Sequence, residues 1–176
     1  AIYSTLGGAS VFISDCAFTE NHADSSGGAI YGKRTRILRC EFTKNTAGSD
    51  GGAVDILENG AIGDCTFTEN QALTKGGAIK ASKTQITRCT IDGNSLTGTP
   101  DGIRTRSGGG VYLTDSSMVH SSVTNNQCQS GSAVGMYASD CWIWNCDISG
   151  NSVNADGKYG AGLYATDNTI VTISKI

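Results

Sequence analysis

Apolar and polar residues alternate along this chain in short runs with a period of two, and the runs restart about every 24 residues. Aligning the restarts gives columns. One aliphatic column holds Ile13, Ile37, Ile62, Ile86, Met118 and Ile143. Three residues later stand Cys16, Cys40, Cys65, Cys89, Ser121 and Cys146, and two after that Phe18, Phe42, Phe67, Ile91, Val123 and Ile148. The positions between are polar or small: Ala17, Glu41, Thr66, Thr90, Ser122 and Asp147. Residues two apart share one face of a strand, so the pattern predicts half-buried strands and not a helical stripe.

Each copy also has a fixed beginning and end. Gly27-Gly28-Ala29-Ile30, Gly51-Gly52-Ala53-Val54 and Gly76-Gly77-Ala78-Ile79 open three copies. Looser openings follow at Gly108-Gly109-Gly110-Val111, Gly131-Ser132-Ala133-Val134 and Gly160-Ala161-Gly162-Leu163. Copies close on Asn21, Asn45, Asn70, Asn94, Asn126 and Asn151, spaced by 24, 25, 24, 32 and 25 residues. The single long interval places an inserted loop at 97–107.

Charge supplies an independent test of register. Asp15, Arg39, Asp64 and Arg88, then His120, precede the cysteine column, while Glu20, Lys44 and Glu69 precede the asparagines. Signs alternate copy by copy, as stacking about 4.8 Å apart favours, since like charges directly opposite destabilise a ladder. The reading is an all-β chain: a right-handed parallel β-helix (solenoid) of about seven coils, with three short strands per coil, forming one segment over residues 1–176. The asparagines are expected to turn inward as a hydrogen-bonded ladder. The 24 glycines serve corners that need positive φ or close backbone approach. The single proline, Pro100, falls in the insertion, because a ladder needs its N–H groups.

Composition narrows function only by exclusion. A net charge of −3 with 16% charged residues gives no basic face for nucleic acid. No apolar run approaches the ~18 residues of a membrane helix, so no membrane insertion by this segment is expected. The first residues, Ala1-Ile2-Tyr3-Ser4-Thr5, lack the basic start and apolar run of a signal peptide. Neither end carries a polar cap, which predicts part of a longer solenoid or a unit that stacks end to end.

GGA[IV] followed by FxxN, with cysteine two before the phenylalanine, resembles the polymorphic outer-membrane-protein repeat of chlamydial autotransporter passenger domains. The likeness runs over nearly the whole chain and is best in the first three copies. It implies a surface-displayed, extracellular β-helix, often adhesive, cut from a chain that carries a separate membrane barrel.

Candidate chemistry is sparse. Of seven cysteines, Cys16, Cys40, Cys65, Cys89 and Cys146 share the inward column, where a thiol acts as a small hydrophobe. Cys128 and Cys141 fall outside it and either pair with each other or stand apart. C-x-x-C spacing is absent, and His22 and His120 lie almost four coils apart, so neither a metal centre nor another cofactor is expected. Asp101, Arg104 and Arg106 make the insertion the most enzyme-like segment, yet they form no convergent carboxylate cluster, and nothing in the spacing requires Asp92 or Asp115 to approach it. Thr19, Thr43, Thr68 and Thr124 form an outer row interrupted by Asp92.

Tyr3, Tyr31, Tyr112 and Tyr164 recur just after the aliphatic opening, interrupted by Asp55, Lys80 and Gly135, and are the candidate surface-binding residues. The expected function is a non-catalytic extracellular or cell-surface scaffold with adhesive contacts to a host or matrix protein or a glycan. A filament built by self-stacking is the alternative, and a polysaccharide-cleaving enzyme the third reading.

Overall fold

The computed structural model describes residues 1–4, 10–98, 107–129, 134–153, 161–172 and 175. The chain is a right-handed parallel β-solenoid of about six turns, built from four parallel sheets. The first sheet stacks Ile2–Ser4, Ile30–Gly32, Val54–Ile56, Ile79–Ser82, Val111–Thr114, Met136–Ser139 and Leu163–Thr166. The second runs from Val11–Ser14 to Ile170–Thr172, also with seven strands. The third runs from Ala17–Thr19 to Asp147–Ser149, and the fourth from His22–Ala23 to Ser152–Val153, with six each. A complete coil therefore has four strands, one more than the columns predict. The extra strand is the two-residue piece after each inward asparagine, too short to leave a periodic signal.

The core is the stack of inward columns. Ile37, Ile62, Ile86, Met118 and Ile143 are fully buried, as are Phe42, Phe67, Ile91, Val123 and Ile148. Phenylalanine rings lie flat on one another, with centroids 4.9 Å apart for Phe18–Phe42 and 4.7 Å for Phe42–Phe67. A second, smaller cluster (Ala72, Leu96, Cys128 and Val134) lies inside the fourth sheet's corner.

Asparagines turn inward between the third and fourth sheets. The side chain of Asn45 donates to Asn70 Oδ1 at 2.9 Å, which also accepts the Asn45 backbone N–H at 2.9 Å. The same pair of bonds joins Asn21 to Asn45, Asn70 to Asn94, Asn94 to Asn126 and Asn126 to Asn151. Each Nδ2 from Asn45 onward also donates to a carbonyl of the preceding coil, such as Asn70 to Phe42 O at 3.0 Å. Buried amides are thus satisfied without water, as a dry corner requires.

Corner glycines serve both expected purposes. The first glycine of each pair does adopt positive φ, as at Gly51 (φ 61°). The second is required by proximity: a Cβ on Gly52 would strike the carbonyl oxygen of Gly77 in the next coil. Most other left-handed corners are not glycine. Asp15, Arg39, Asp64, Arg88, His120 and Asn145 all have φ between 51° and 56°, just before the cysteine column. The charge ladder is therefore also a ladder of turns. Arg39 grips Asp15 through two bonds of 2.6 and 2.7 Å, and Arg88 grips Asp64 at 2.6 and 2.8 Å. Lys44 lies 3.9 Å from Glu69 in the second ladder.

One register needs correction. Val111 pairs with Met136, so Met136 takes the aliphatic position expected at Val134. Val134 instead lies two residues earlier, where its carbonyl accepts the Gly110 N–H. The outward column therefore holds Tyr137 where Gly135 was expected.

Candidate functional site

The corrected first-sheet column reads Tyr3, Tyr31, Asp55, Lys80, Tyr112, Tyr137 and Tyr164. Tyr3 and Tyr31 stack with centroids 5.4 Å apart, Tyr112 and Tyr137 at 4.4 Å, and Tyr137 and Tyr164 at 5.7 Å. Rings stacked in this way spend their faces on one another and present edges and hydroxyls outward. Tyr3 alone is widely open, at 75% exposure. Burial and the neighbouring Tyr137 push the Tyr112 hydroxyl up to about 12, while Lys75 Nζ lies 5.0 Å from the Tyr112 ring centre.

Between the two tyrosine groups sits a largely buried charge cluster. Lys80 Nζ lies 3.2 Å from both Asp50 and Asp55, and Thr74 donates its hydroxyl to Asp50. Asp55 is 1% exposed, and its Oδ1 has no hydrogen-bond partner. Burial raises the Asp55 carboxyl against the pull of Lys80. Burial would lower Lys80, but the two carboxylates overrule it and hold the ammonium up. Asp55 is thus closed to solvent, while Lys80 and Asp50 keep part of their side chains exposed.

The second sheet carries the more open surface. Phe12 is 64% exposed, Trp142 52% and Ile170 61%, all in one outward column with Arg36, Ala61, Gln85 and Ser117. Trp144 projects beside Trp142 on the same strand, ring centroids 6.3 Å apart. Small residues at Ala61 and Gly63 leave a groove of about 210 Å³ beside Phe12, Arg36, Leu38 and Gln85. The sequence reading missed both tryptophans, although its own rule places them: Ile143 is inward, so the residues on either side point out.

Around the corner from Trp144, a pocket of about 460 Å³ opens over the third sheet. Arg88, His120 and Asn145 form one wall, and Thr90, Ser122 and Asp147 the floor. Here both columns change character: the sign alternation stops at His120, and Ser121 replaces cysteine. His120 packs against Trp144 at 4.8 Å and accepts from Asn145 Nδ2 at Nδ1, 2.8 Å away.

The remaining candidates stay apart. His22 contacts Thr46 and Asp24 near the first coil. Among the described residues no three His, Cys, Asp or Glu side chains converge as a metal site. All seven cysteines stand as thiols, with no disulfide between Cys128 and Cys141. Cys128 packs in the small corner cluster, while Cys141 lies in the main core. Cys40, Cys65, Cys89 and Cys146 are buried and Cys16 is exposed. The hydrogen bond to Cys65, with burial, pushes the Cys89 thiol up, and burial raises Cys40, Cys141 and Cys146, so these groups stay protonated. Thr19, Thr43 and Thr68 do run in register into Asp92, whose carboxylate accepts from Thr124 at 2.7 Å. Pro100, Asp101, Arg104 and Arg106, with most of the 97–107 insertion, lie outside the described residues.

A stacked parallel solenoid with a satisfied asparagine corner and flat outer sheets defines a repeat scaffold whose chemistry is displayed on its faces. The model of the right handed beta helix region matches residues 2–127, and the chain belongs to that family. None of the curated proteins compared matches it. Among the described residues no helix is long and apolar enough to cross a membrane.

Proposed function

We propose that the chain is a non-catalytic, surface-displayed scaffold that makes adhesive contacts outside the cell. The observation that carries this reading is the exposure of large apolar side chains on the outer face of one sheet, with Phe12 on its first strand and Trp142, Trp144 and Ile170 together on its last two. Exposed aromatic residues mark contact sites, and a rigid stack repeats weak contacts at fixed spacing. Resemblance of the GGA[IV]/FxxN repeat to polymorphic outer-membrane proteins supports surface display. The face-stacked tyrosine column contributes edges and hydroxyls as a secondary contact row.

The test is solid-phase binding of the labelled chain to intact cells and to arrays of matrix proteins and glycans. Saturable binding is expected, and the triple variant Phe12→Ser/Trp142→Ser/Trp144→Ser should lose it while melting at the parent temperature. Absence of saturable binding to every surface, or full binding by the triple variant, overturns the reading.

A further inference from the structure

The outer face of the second sheet carries a hollow at one level and a ridge at another. Counted from Val11–Ser14, its third strand presents Ala61 and Gly63, whose lack of bulk leaves the groove of about 210 Å³ beside Arg36 and Gln85. The sixth strand presents Trp142 and Trp144, stacked on each other as one ridge. Ridge and hollow occupy the same two outward columns: Ala61 is in line with Trp142, and Gly63 with Trp144. The third and sixth strands are equally far from the level between the fourth and fifth.

A charged column borders this face, at the corner leading in from the first sheet. Successive coils place there Arg34, Asn59, Lys83, Asp115, Asp140 and Asp167, all exposed and all at φ between 48° and 54°. The signs do not alternate as they do before the cysteines; bases hold the early coils and acids the late ones. Among the described residues Arg34, Lys83 and Asp115 join no ion pair. Like charges stacked about 4.8 Å apart repel, so the late half of the column favours positive charge from outside. The sign changes between Lys83 and Asp115, at the level midway between hollow and ridge.

A twofold axis along the strands at that level exchanges both features. It seats Trp142 of one copy over Ala61 of another and Trp144 over Gly63. The same rotation sets Lys83 against Asp115, Arg34 against Asp167 and uncharged Asn59 against Asp140. Solenoids running the same way would instead set ridge on ridge and leave the hollow empty.

We propose that this face pairs with a second copy of the chain, the solenoids antiparallel and the tryptophan ridge of each in the hollow of the other. The proposal deepens the adhesive reading and rests on its choice of contact face, because it names the partner: another copy displayed on a facing surface. Four-residue strands about 13 Å long, on levels about 4.8 Å apart, give a footprint of roughly 400 Å² per copy, half the share of a standard stable interface. The pair is therefore weak and reversible, and many such contacts add where copies are crowded.

Sedimentation velocity tests it, with a reversible shift towards dimer expected between about 10 μM and 1 mM. Ala61→Arg, which fills the hollow, and Trp142→Ser should each weaken association at least about tenfold at the parental melting temperature. Charge exchange reads the orientation, and the turns suit it, since Lys83 and Asp115 hold the same left-handed φ of 48° and 49°. Arg34→Glu/Lys83→Glu and Asp115→Lys/Asp167→Lys should each stay monomeric alone, whereas their mixture should form the mixed dimer. A parent chain monomeric at about 1 mM, unchanged association by Ala61→Arg, or no mixed dimer overturns the inference. If the chain is monomeric throughout while the triple surface variant still abolishes attachment, this inference falls and the adhesive reading survives. If the mixed dimer forms while no cell or array binds the chain, the pairing stands and the adhesive reading falls.

Discussion

Replacing Asn70 by alanine tests the corner ladder at its centre. Asn70 is wholly buried, and its side chain makes four bonds. It donates to Asn94 Oδ1 at 2.9 Å and to Phe42 O at 3.0 Å, and it accepts from the Asn45 N–H and Asn45 Nδ2, each at 2.9 Å. Alanine removes all four. Asn45 Nδ2 keeps its bond to Phe18 O, but the buried Asn45 N–H loses the acceptor seen here. A stranded buried donor costs about 1–3 kcal/mol, and losing the two donated bonds adds about 1 kcal/mol each, so the total comes to about 3–5 kcal/mol. Asn21 is the control, being only half-buried at the first coil, and Asn21→Ala should cost about 1 kcal/mol or less. Urea unfolding followed by circular dichroism, with m-values compared between variants, gives both numbers. If Asn70→Ala and Asn21→Ala differ by less than about 1 kcal/mol, the amide ladder is not a principal source of coil-to-coil stability.

Two further outcomes follow from local geometry. Gly52→Ala should destabilise by about 3 kcal/mol or more, because its Cβ would collide with backbone oxygens of Gly77 and Gln71. Gly93→Ala, at φ 64° with nothing within 4 Å, should cost only about 1 kcal/mol in the same denaturation assay. Asp55→Asn should gain stability relative to the parent as pH rises from about 4 to 7. The folded carboxyl is raised above its unfolded value of 3.8, so its contribution is fully present below that value and is lost as pH rises through the folded pKa. Paired melts at the two pH values check this, and a relative loss on going to neutral pH would contradict it.

The solenoid was legible because its core is written in columns two residues apart. Ile37, Cys40 and Phe42 repeat 25 residues later at Ile62, Cys65 and Phe67, and the stacked pairs fall in that register. The fourth strand was not legible, since Thr46–Ala47 and its counterparts span two residues and carry no period. The shift at Val134 arose from trusting a glycine-like opening over spacing. Tyr112 and Tyr137, 25 residues apart, held the better signal. The pocket was hidden for another reason: its walls come from separate coils, and only the loss of alternation at His120 marked the place. Charged residues at positive φ were also unforeseen, because propensity assigns such turns to glycine or asparagine.

The amide ladder is a vector. Every amide-to-amide bond along it runs from the earlier asparagine's Nδ2 to the later one's Oδ1, from Asn21 through to Asn151. Aligned dipoles of this kind reinforce one another, so the stack has a chemical head and tail even though its coils look alike. A coil inserted or deleted whole leaves each junction unchanged, whereas a coil entering in reverse would set donor against donor. Length is therefore a variable that this architecture can change in unit steps, and direction is one that it cannot.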